Sequence, residues 1–332
     1  MKNIALFGAG RIGRIHAANL AALPGIRLKT VSDPMEGAAR ELAALHGASP
    51  ASVEQVFVDP EIDAVVIASP TSTHSELILR AARAGKHIFC EKPVDLSVER
   101  AQACEVAVVE AGVACMIGFQ RRFDPTFNEA KTRLARGEIG TPEMLIITSR
   151  DPGAPPVDYL KQSGGIFRDM LIHDFDVFRW ILCEEGRDEA VWLSASGACL
   201  TDPAIAAAGD IDSAVVTLRT RSGRLCQINT SRRAAYGYDQ RFEVLGSKGL
   251  LQCGNHRANE VVQLDAQGVR TELPEHFFLQ RYRDAYRLEL THFFESLQSG
   301  APLRCGIRDG VAAQRLADAA AESLRSGTPV LL

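Results

Sequence analysis

The chain opens on an apolar run, Ile4-Ala5-Leu6-Phe7, that leads straight into Gly8-Ala9-Gly10-Arg11-Ile12-Gly13 and then into a helix-type stretch. A second apolar run, Ile26-Arg27-Leu28-Lys29-Thr30-Val31-Ser32, follows and ends at Asp33. Glycines spaced G-x-G-x-x-G constrain a fold only in this setting of strand, tight turn, helix and second strand. Gly8 permits the turn, Gly10 lets a pyrophosphate approach the backbone, and Gly13 lets the helix pack close to the strand. The helix start then presents unpaired N–H groups and a partial positive charge to the anion. Asp33 stands twenty residues beyond Gly13. A carboxylate there accepts hydrogen bonds from both adenosine ribose hydroxyls and repels a 2′-phosphate, so the expected cofactor is NAD. Arg11 bears on the strictness of that choice. A guanidinium in the glycine loop suits either a pyrophosphate or a 2′-phosphate, and an arginine solvated at the helix start is the plainer reading.

Bulk properties set the frame. A length of 332 residues suggests about two domains. Apolar residues at 46% and charged residues at 23% are ordinary for a soluble globular chain. A net charge of −4 with a pI near 6.1 argues against nucleic acid as a main partner. No segment approaches the ~20 continuous apolar residues of a membrane span, and the N-terminal run leads into the glycine loop rather than a signal-peptide cleavage site. The eight cysteines are scattered singly, with no C-x-x-C. They read as small buried hydrophobes in a reducing compartment, so a cytoplasmic location is expected.

The first 120 residues alternate strand and helix patterns. Apolar runs at Ala64–Ala68, His87–Cys90 and Val113–Ile117 are separated by alanine-rich stretches of helical spacing, Glu36–Leu45, Glu76–Ala84 and Val98–Val109. Continuous apolar strands indicate a sheet covered on both faces. After about Arg122 the pattern changes. Asp124–Arg136 reads as a helix with Pro125 in its first turn, and strand-like runs follow at 191–199, 213–220, 225–230, 242–245, 250–253 and 261–264. Tyr282, Tyr286, Leu290, Phe293, Phe294 and Leu297 recur at helical spacing and read as a core-facing helix. The expected fold class is α/β: a Rossmann doubly wound parallel sheet over residues 1–120, then an α+β domain over 121–332 with a mostly antiparallel open sheet.

Two further segments concentrate reactive groups. Glu91-Lys92-Pro93 ends the fourth apolar run, where ligands sit in an open α/β sheet. Proline fixes the local backbone and so the direction in which Lys92 projects; alone, the triplet is also a common surface turn. In Gly164–Trp180, a helix from about Phe167 places Asp169, His173 and Asp176 at i, i+4 and i+7 on one face. Apolar neighbours flank that polar stripe, which is unusual for a packed helix. A helix-start acid with a satisfied core histidine is the structural alternative. Metal ligation is another, but no second histidine or cysteine lies nearby in sequence, and no metal is expected.

These residues carry a resemblance to the glucose-fructose oxidoreductase/inositol dehydrogenase superfamily, and within it to the inositol 2-dehydrogenase branch. It spans essentially the whole chain. It rests on Gly8–Gly13, Phe89-Cys90-Glu91-Lys92-Pro93, Gly118-Phe119-Gln120-Arg121-Arg122-Phe123-Asp124 and, above all, Gly164–Trp180. The resemblance implies a catalytic set of Lys92, Asp169 and His173. It implies cofactor contacts from Gly8, Gly10, Arg11, Ile12, Gly13, Asp33, Ser69, Thr71, His74, Glu91 and Lys92. Substrate contacts would come from Lys92, Arg121, Asp151, Asp169, His173, Asp176 and Tyr238 in the Tyr236-Gly237-Tyr238 loop. Gln120 departs from relatives that carry methionine there, which bears on local substrate contacts.

The implied reaction is NAD-dependent oxidation of a secondary ring alcohol, myo-inositol to its 2-ketone. Hydride leaves readily only as the hydroxyl proton is removed. His173, with an ordinary pKa of about 6.5, suits that proton uptake. Asp169 would orient it, and Lys92 would stabilise the developing alkoxide or, with its pKa lowered by burial, act as the base itself. Another cyclitol such as scyllo-inositol, or an aldose such as glucose, is the alternative substrate. A non-catalytic, NAD-responsive sensor is the alternative class. The partners expected are a small polyol or sugar and further copies of the chain, a homotetramer by resemblance, with neither nucleic acid nor membrane.

Overall fold

In a computed structural model describing Met1–Leu332, six strands pair in parallel in the order β3-β2-β1-β4-β5-β6. They are β1 (Lys2–Phe7), β2 (Ile26–Ser32), β3 (Ser49–Pro50), β4 (Ala64–Ile67), β5 (His87–Glu91) and β6 (Cys115–Gly118). Strand order runs outward from β1 in both directions, the doubly wound arrangement expected of the first half. The crevice between the carboxyl ends of β1 and β4, where the winding reverses, is where such sheets bind ligands. The apolar runs are continuous because both faces are covered: every residue of β4 is fully buried.

The crossovers carry α1 (Arg11–Ala22), α2 (Glu36–Leu45), α3 (Val53–Val58), α4 (His74–Arg83) and α5 (Val98–Ala111). Local chemistry sets their ends. Ser52 and Gln55 close a reciprocal capping box on α3. Ser97 accepts from the Arg100 N–H at the start of α5, and Gly112 in the left-handed region (φ 64°) ends it.

The later strands are β7 (Pro142–Arg150), β8 (Ala190–Ala198), β9 (Ser213–Thr220), β10 (Leu225–Ser231), β11 (Asp239–Gly246), β12 (Gly249–Cys253), the hairpin pair β13 (Val262–Asp265) and β14 (Gly268–Thr271), and β15 (Val330–Leu331). All but the hairpin join a seven-stranded sheet, order β12-β11-β7-β10-β9-β8-β15. Only β7 and β10 pair in parallel, so the sheet is mixed and mostly antiparallel. Strands β9 and β10 alternate buried and more exposed residues, as in a sheet covered on one face.

The helices of this half are α6 (Pro125–Ala135), α7 (Val157–Ser163), α8 (Gly165–Asp169), α9 (Ile172–Leu182), α10 (Pro203–Ala207) and α11 (Phe278–Arg281), with α12 (Arg283–Ser299) and α13 (Ile307–Ser326) closing the chain. Asp124 caps α6 through the Phe127 N–H at 3.1 Å, with Pro125 in the first turn as its sequence implies.

The chain divides into two compact units, Met1–Phe123 with Asp284–Gln314, and Asp124–Arg283 with Arg315–Leu332. The core of the first unit joins Leu20, Leu28, Leu42, Phe89 and Met116 to Leu290 and Phe293 of α12. Full burial of each such side chain contributes about 1.5–3 kcal/mol. The eight cysteines are free thiols, six of them buried, and burial pushes the Cys104 thiol up to about 12. No helix is long and apolar enough to cross a membrane.

Candidate active site

The glycine loop has the geometry its spacing implies. Gly8 has φ +100°, and a Cβ there would lie 2.5 Å from the Ala68 carbonyl oxygen. A Cβ on Gly13 would lie 2.0 Å from the Gly8 oxygen. Neither position tolerates a side chain, because the obstacles are backbone atoms. Gly10 differs: a Cβ would meet nothing within 4 Å. Its own Cα thus faces open space at the start of α1, where no side chain caps the helix. A pyrophosphate fits that cradle.

Asp33 closes the other side. Its Oδ2 accepts from the Ala9 N–H and its Oδ1 from the Met35 N–H, each at 2.8 Å. The carboxylate is pinned against the glycine loop, and each oxygen keeps a second lone pair for a ribose hydroxyl. Ile12 is half-buried behind the loop and Arg11 is exposed at its rim.

The segment after β4 abuts this loop, since the Gly8 Cβ position would also lie 2.8 Å from the Ser69 nitrogen. Ser69 Oγ and Thr73 Oγ1 share a hydrogen bond at 2.6 Å, and Thr71 opens a short 3-10 turn. His74 is 1% exposed. Its Nδ1 lies 2.7 Å from the Pro93 oxygen and its Nε2 lies 2.9 Å from the Ser69 oxygen. Burial lowers its pKa, against those two carbonyls. The ring therefore ties the segment after β4 to the one after β5.

At the end of β5, Lys92 is half-buried and its peptide bond to Pro93 is cis. Glu91 pairs across the sheet with Gly118 and meets His16 of α1, Nε2 to Oε1 at 2.7 Å. Arg121, in the 3-10 turn Gln120–Phe123 after β6, is 2% exposed.

In the second unit, the run through Asp169, His173 and Asp176 is a correction to the sequence reading. It forms two helices rather than one: α8 ends at Asp169 and α9 begins at Ile172. The Leu171 N–H bonds back five residues to the Ile166 oxygen, which widens the turn, and the Asp174 N–H then bonds to Leu171. A wide turn at this point breaks the i, i+4 relation between Asp169 and His173 as members of one helix. His173 is half-buried in the first turn of α9, and Asp176 is fully buried.

Asp169 is held from two sides. Tyr159 of α7 donates its hydroxyl to Oδ1 at 2.9 Å, and both Nη atoms of Arg232 lie 3.3 Å from Oδ2. Burial and the Asp169 charge raise the Tyr159 phenol above its ordinary value, which keeps it a donor. Arg232 is 1% exposed and also faces Asp210 at 3.7 Å. Neither Tyr159 nor Arg232 is marked by helical spacing, because Tyr159 stands ten residues away on a separate helix and Arg232 stands 63 residues away.

Asp151 follows β7, its N–H bonded to the Ser231 oxygen at 3.0 Å. Tyr238 is 7% exposed and packs edge-on against Tyr282 at 6.0 Å between ring centroids. Before it, Gly237 holds φ +118°, and a Cβ would lie 2.8 Å from the Pro274 oxygen.

A dinucleotide cradle on a doubly wound sheet, a lysine at the end of β5 and an aspartate–histidine segment in an α/β second unit define the class: a nicotinamide-dependent oxidoreductase. Residues 2–119 match the model of the oxidoreductase family's NAD-binding Rossmann fold, and residues 131–332 match its C-terminal alpha/beta domain. The chain belongs to this GFO/IDH/MocA oxidoreductase family. It is 48% identical to the inositol 2-dehydrogenase of Rhizobium meliloti, over 96% of each chain. It is 41% identical to the scyllo-inositol 2-dehydrogenase (NAD(+)) of Bacillus subtilis, over 99% of this chain and 95% of that one. The crystal structure of a myo-inositol dehydrogenase from Corynebacterium glutamicum superposes with a TM-score of 0.94 at 43% identity, over 100% of this chain and 99% of that one. The resemblance read from the motifs is borne out: the protein is an oxidoreductase, and NAD is its cofactor.

Proposed function

We propose that the protein oxidises a ring hydroxyl of a cyclitol to a ketone, myo-inositol to its 2-keto form. The observation that carries this reading is the two-sided restraint of Asp169 by Tyr159 and Arg232, four residues before a half-buried histidine. The names of the relatives supply the substrate class.

NAD⁺, when bound, supplies the carbon that takes the hydride. His173 takes the proton of the reacting hydroxyl as base. Asp169 holds the imidazole in orientation and favours the imidazolium that forms. Lys92 stabilises the developing alkoxide by its charge. Arg121, Asp151, Asp176 and Tyr238 supply contacts to the remaining hydroxyls, since an uncharged polyol asks for several hydrogen bonds rather than one charged clamp. In this division of labour residues 1–120, apart from Lys92, serve the dinucleotide, and residues 121–332 serve the substrate and the oligomer.

Assembly as a homotetramer is part of the proposal. Leu250, Leu245, Met144 and Leu225 are register neighbours across four strands, and each is 38–45% exposed. An apolar row of this kind on an open sheet face suits a second copy of the chain. The setting proposed is cytoplasmic inositol catabolism. The Bacillus subtilis relative favours scyllo-inositol as a second substrate. Incubation with NAD⁺ and a panel of cyclitols and aldoses, followed at the NADH absorbance band, tests the assignment. NADH formation with myo-inositol is expected; formation with aldoses alone, or with nothing in the panel, contradicts it.

A further inference from the structure

Beneath the Glu91-Lys92-Pro93 turn lies a buried group that the reaction does not use. Glu289 of α12 is 0% exposed, and no donor in the protein meets either of its carboxylate oxygens. It faces His16 of α1 and Glu91 of β5, and one ligand-type atom from each of the three lies within 4.8 Å of the others. Tyr286, one turn earlier on α12, packs edge-on against the His16 ring at 5.9 Å. His16 is itself 0% exposed, and its Nδ1 has no partner.

Two ionised carboxylates so close together and out of water repel strongly, and such pairs hold a proton between them. Burial first, and the Glu91 charge second, raise the Glu289 pKa well above its ordinary value. Shared ligation of a cation fits less well. His16 Nε2 and Glu91 Oε1 are 2.7 Å apart, whereas two ligands on one tetrahedral zinc stand about 3.3 Å apart. Glu91, as a carboxylate, accepts, so the short contact is a hydrogen bond donated by His16 Nε2–H.

We propose that Glu289 is retained as an uncharged carboxylic acid that donates its proton to Glu91, and that together with His16 it positions Glu91 and, through the next residue, Lys92. Glu289 is thus a positioning residue; the part concerning Lys92 rests on the role given to that lysine above. Gly118 completes the seat, since a Cβ there would lie 3.1 Å from Glu91 Oε2.

Glu289→Gln keeps the volume and a donor but cannot ionise, whereas Glu289→Ala removes both. An acid whose folded pKa is raised loses stabilisation as pH climbs from its unfolded value toward the folded one. The wild-type unfolding equilibrium constant should therefore rise relative to Glu289→Gln, by about tenfold per pH unit above roughly pH 5. Thermal midpoints across that range read this as a gap that widens with pH. A packing role alone leaves the gap constant, and a constant gap overturns the uncharged acid. In turnover, Glu289→Ala should lower kcat by about tenfold or more with KM little changed, and Glu289→Gln should restore most of it. Equal loss in both variants, or no loss in either, overturns the positioning role. One tightly held divalent ion per purified wild-type chain, absent from Glu289→Gln, overturns the whole proposal in favour of a metal site. Failure of the wild type to oxidise any cyclitol removes the reading of Lys92 but leaves the pH dependence as an independent result.

Discussion

The carboxylate of Glu91 lies against the Cα of Gly118, its partner on the neighbouring strand, closely enough that a Cβ there would sit 3.1–3.3 Å from three of its atoms. Such a contact is tighter than side chains normally make, so Gly118→Ala must displace the carboxylate by a few tenths of an ångström. Overpacking of this kind costs about 1–3 kcal/mol. The expected outcome is a thermal midpoint lowered by several degrees and a several-fold drop in kcat. NAD affinity, measured by NADH fluorescence titration, should fall less than kcat, because the glycine loop is untouched and only the Glu91 contact moves.

Asp33 links the ribose position to the glycine loop through the Ala9 N–H. Asp33→Ser removes the charge that repels a 2′-phosphate and loosens the loop as well. NAD should bind about tenfold more weakly, with the NADP-to-NAD ratio of kcat/KM rising. An unchanged ratio would refute the ribose contact.

Asp169 owes its orientation to Tyr159 and Arg232 rather than to the helix it was expected to share with His173. His173→Ala should cut turnover by about 10²–10⁴-fold, the range for a lost general base, while NADH still binds. Tyr159→Phe leaves the ring and removes only the hydrogen bond to Asp169, so a smaller loss, about tenfold, should fall on kcat rather than KM.

Much of this was legible because it is written locally. The glycine loop and the apolar runs of β1, β2, β4 and β5 are set by neighbours in sequence. The break between α8 and α9 was not legible. No glycine or proline marks Met170-Leu171, and the wide turn depends on the Leu171 N–H choosing the Ile166 oxygen. Nor does periodicity reveal that β7 pairs in parallel with β10, or that Glu289 sits in the same core as Phe293 beside a second carboxylate. Arg232, His16 and Glu289 acquire their roles from residues distant in the chain, and Tyr159 acquires its role from a residue on another helix. Spacing rules see a helix face; they do not see what packs on it.

Asp212 anchors the second unit. Fully buried, it accepts from the N–H groups of Leu200 and Thr201 at 2.9 and 2.7 Å, from the Thr201 hydroxyl at 2.8 Å and from Ser213 at 2.9 Å. Burial pushes its pKa up, but these donors outweigh burial and hold it well below the ordinary 3.8. The stabilisation is complete above about pH 4 and drains away as pH falls further. Asp212→Asn should cost about 2 kcal/mol or more at neutral pH, and its stability should fall less steeply than the wild type's below about pH 4. Acid titrations of the circular dichroism signal would show this.

The central claim is that a ring carbon of a cyclitol gives its hydride to NAD⁺ on this protein. The most direct measurement uses myo-inositol carrying deuterium at C2, with the label followed into the reduced cofactor by mass spectrometry. One deuterium per NADH, matched by one 2-keto product and absent in His173→Ala on the same time scale, is the predicted result. Reduced cofactor without the label, or labelled inositol left intact by an otherwise folded, NAD-binding protein, would contradict it.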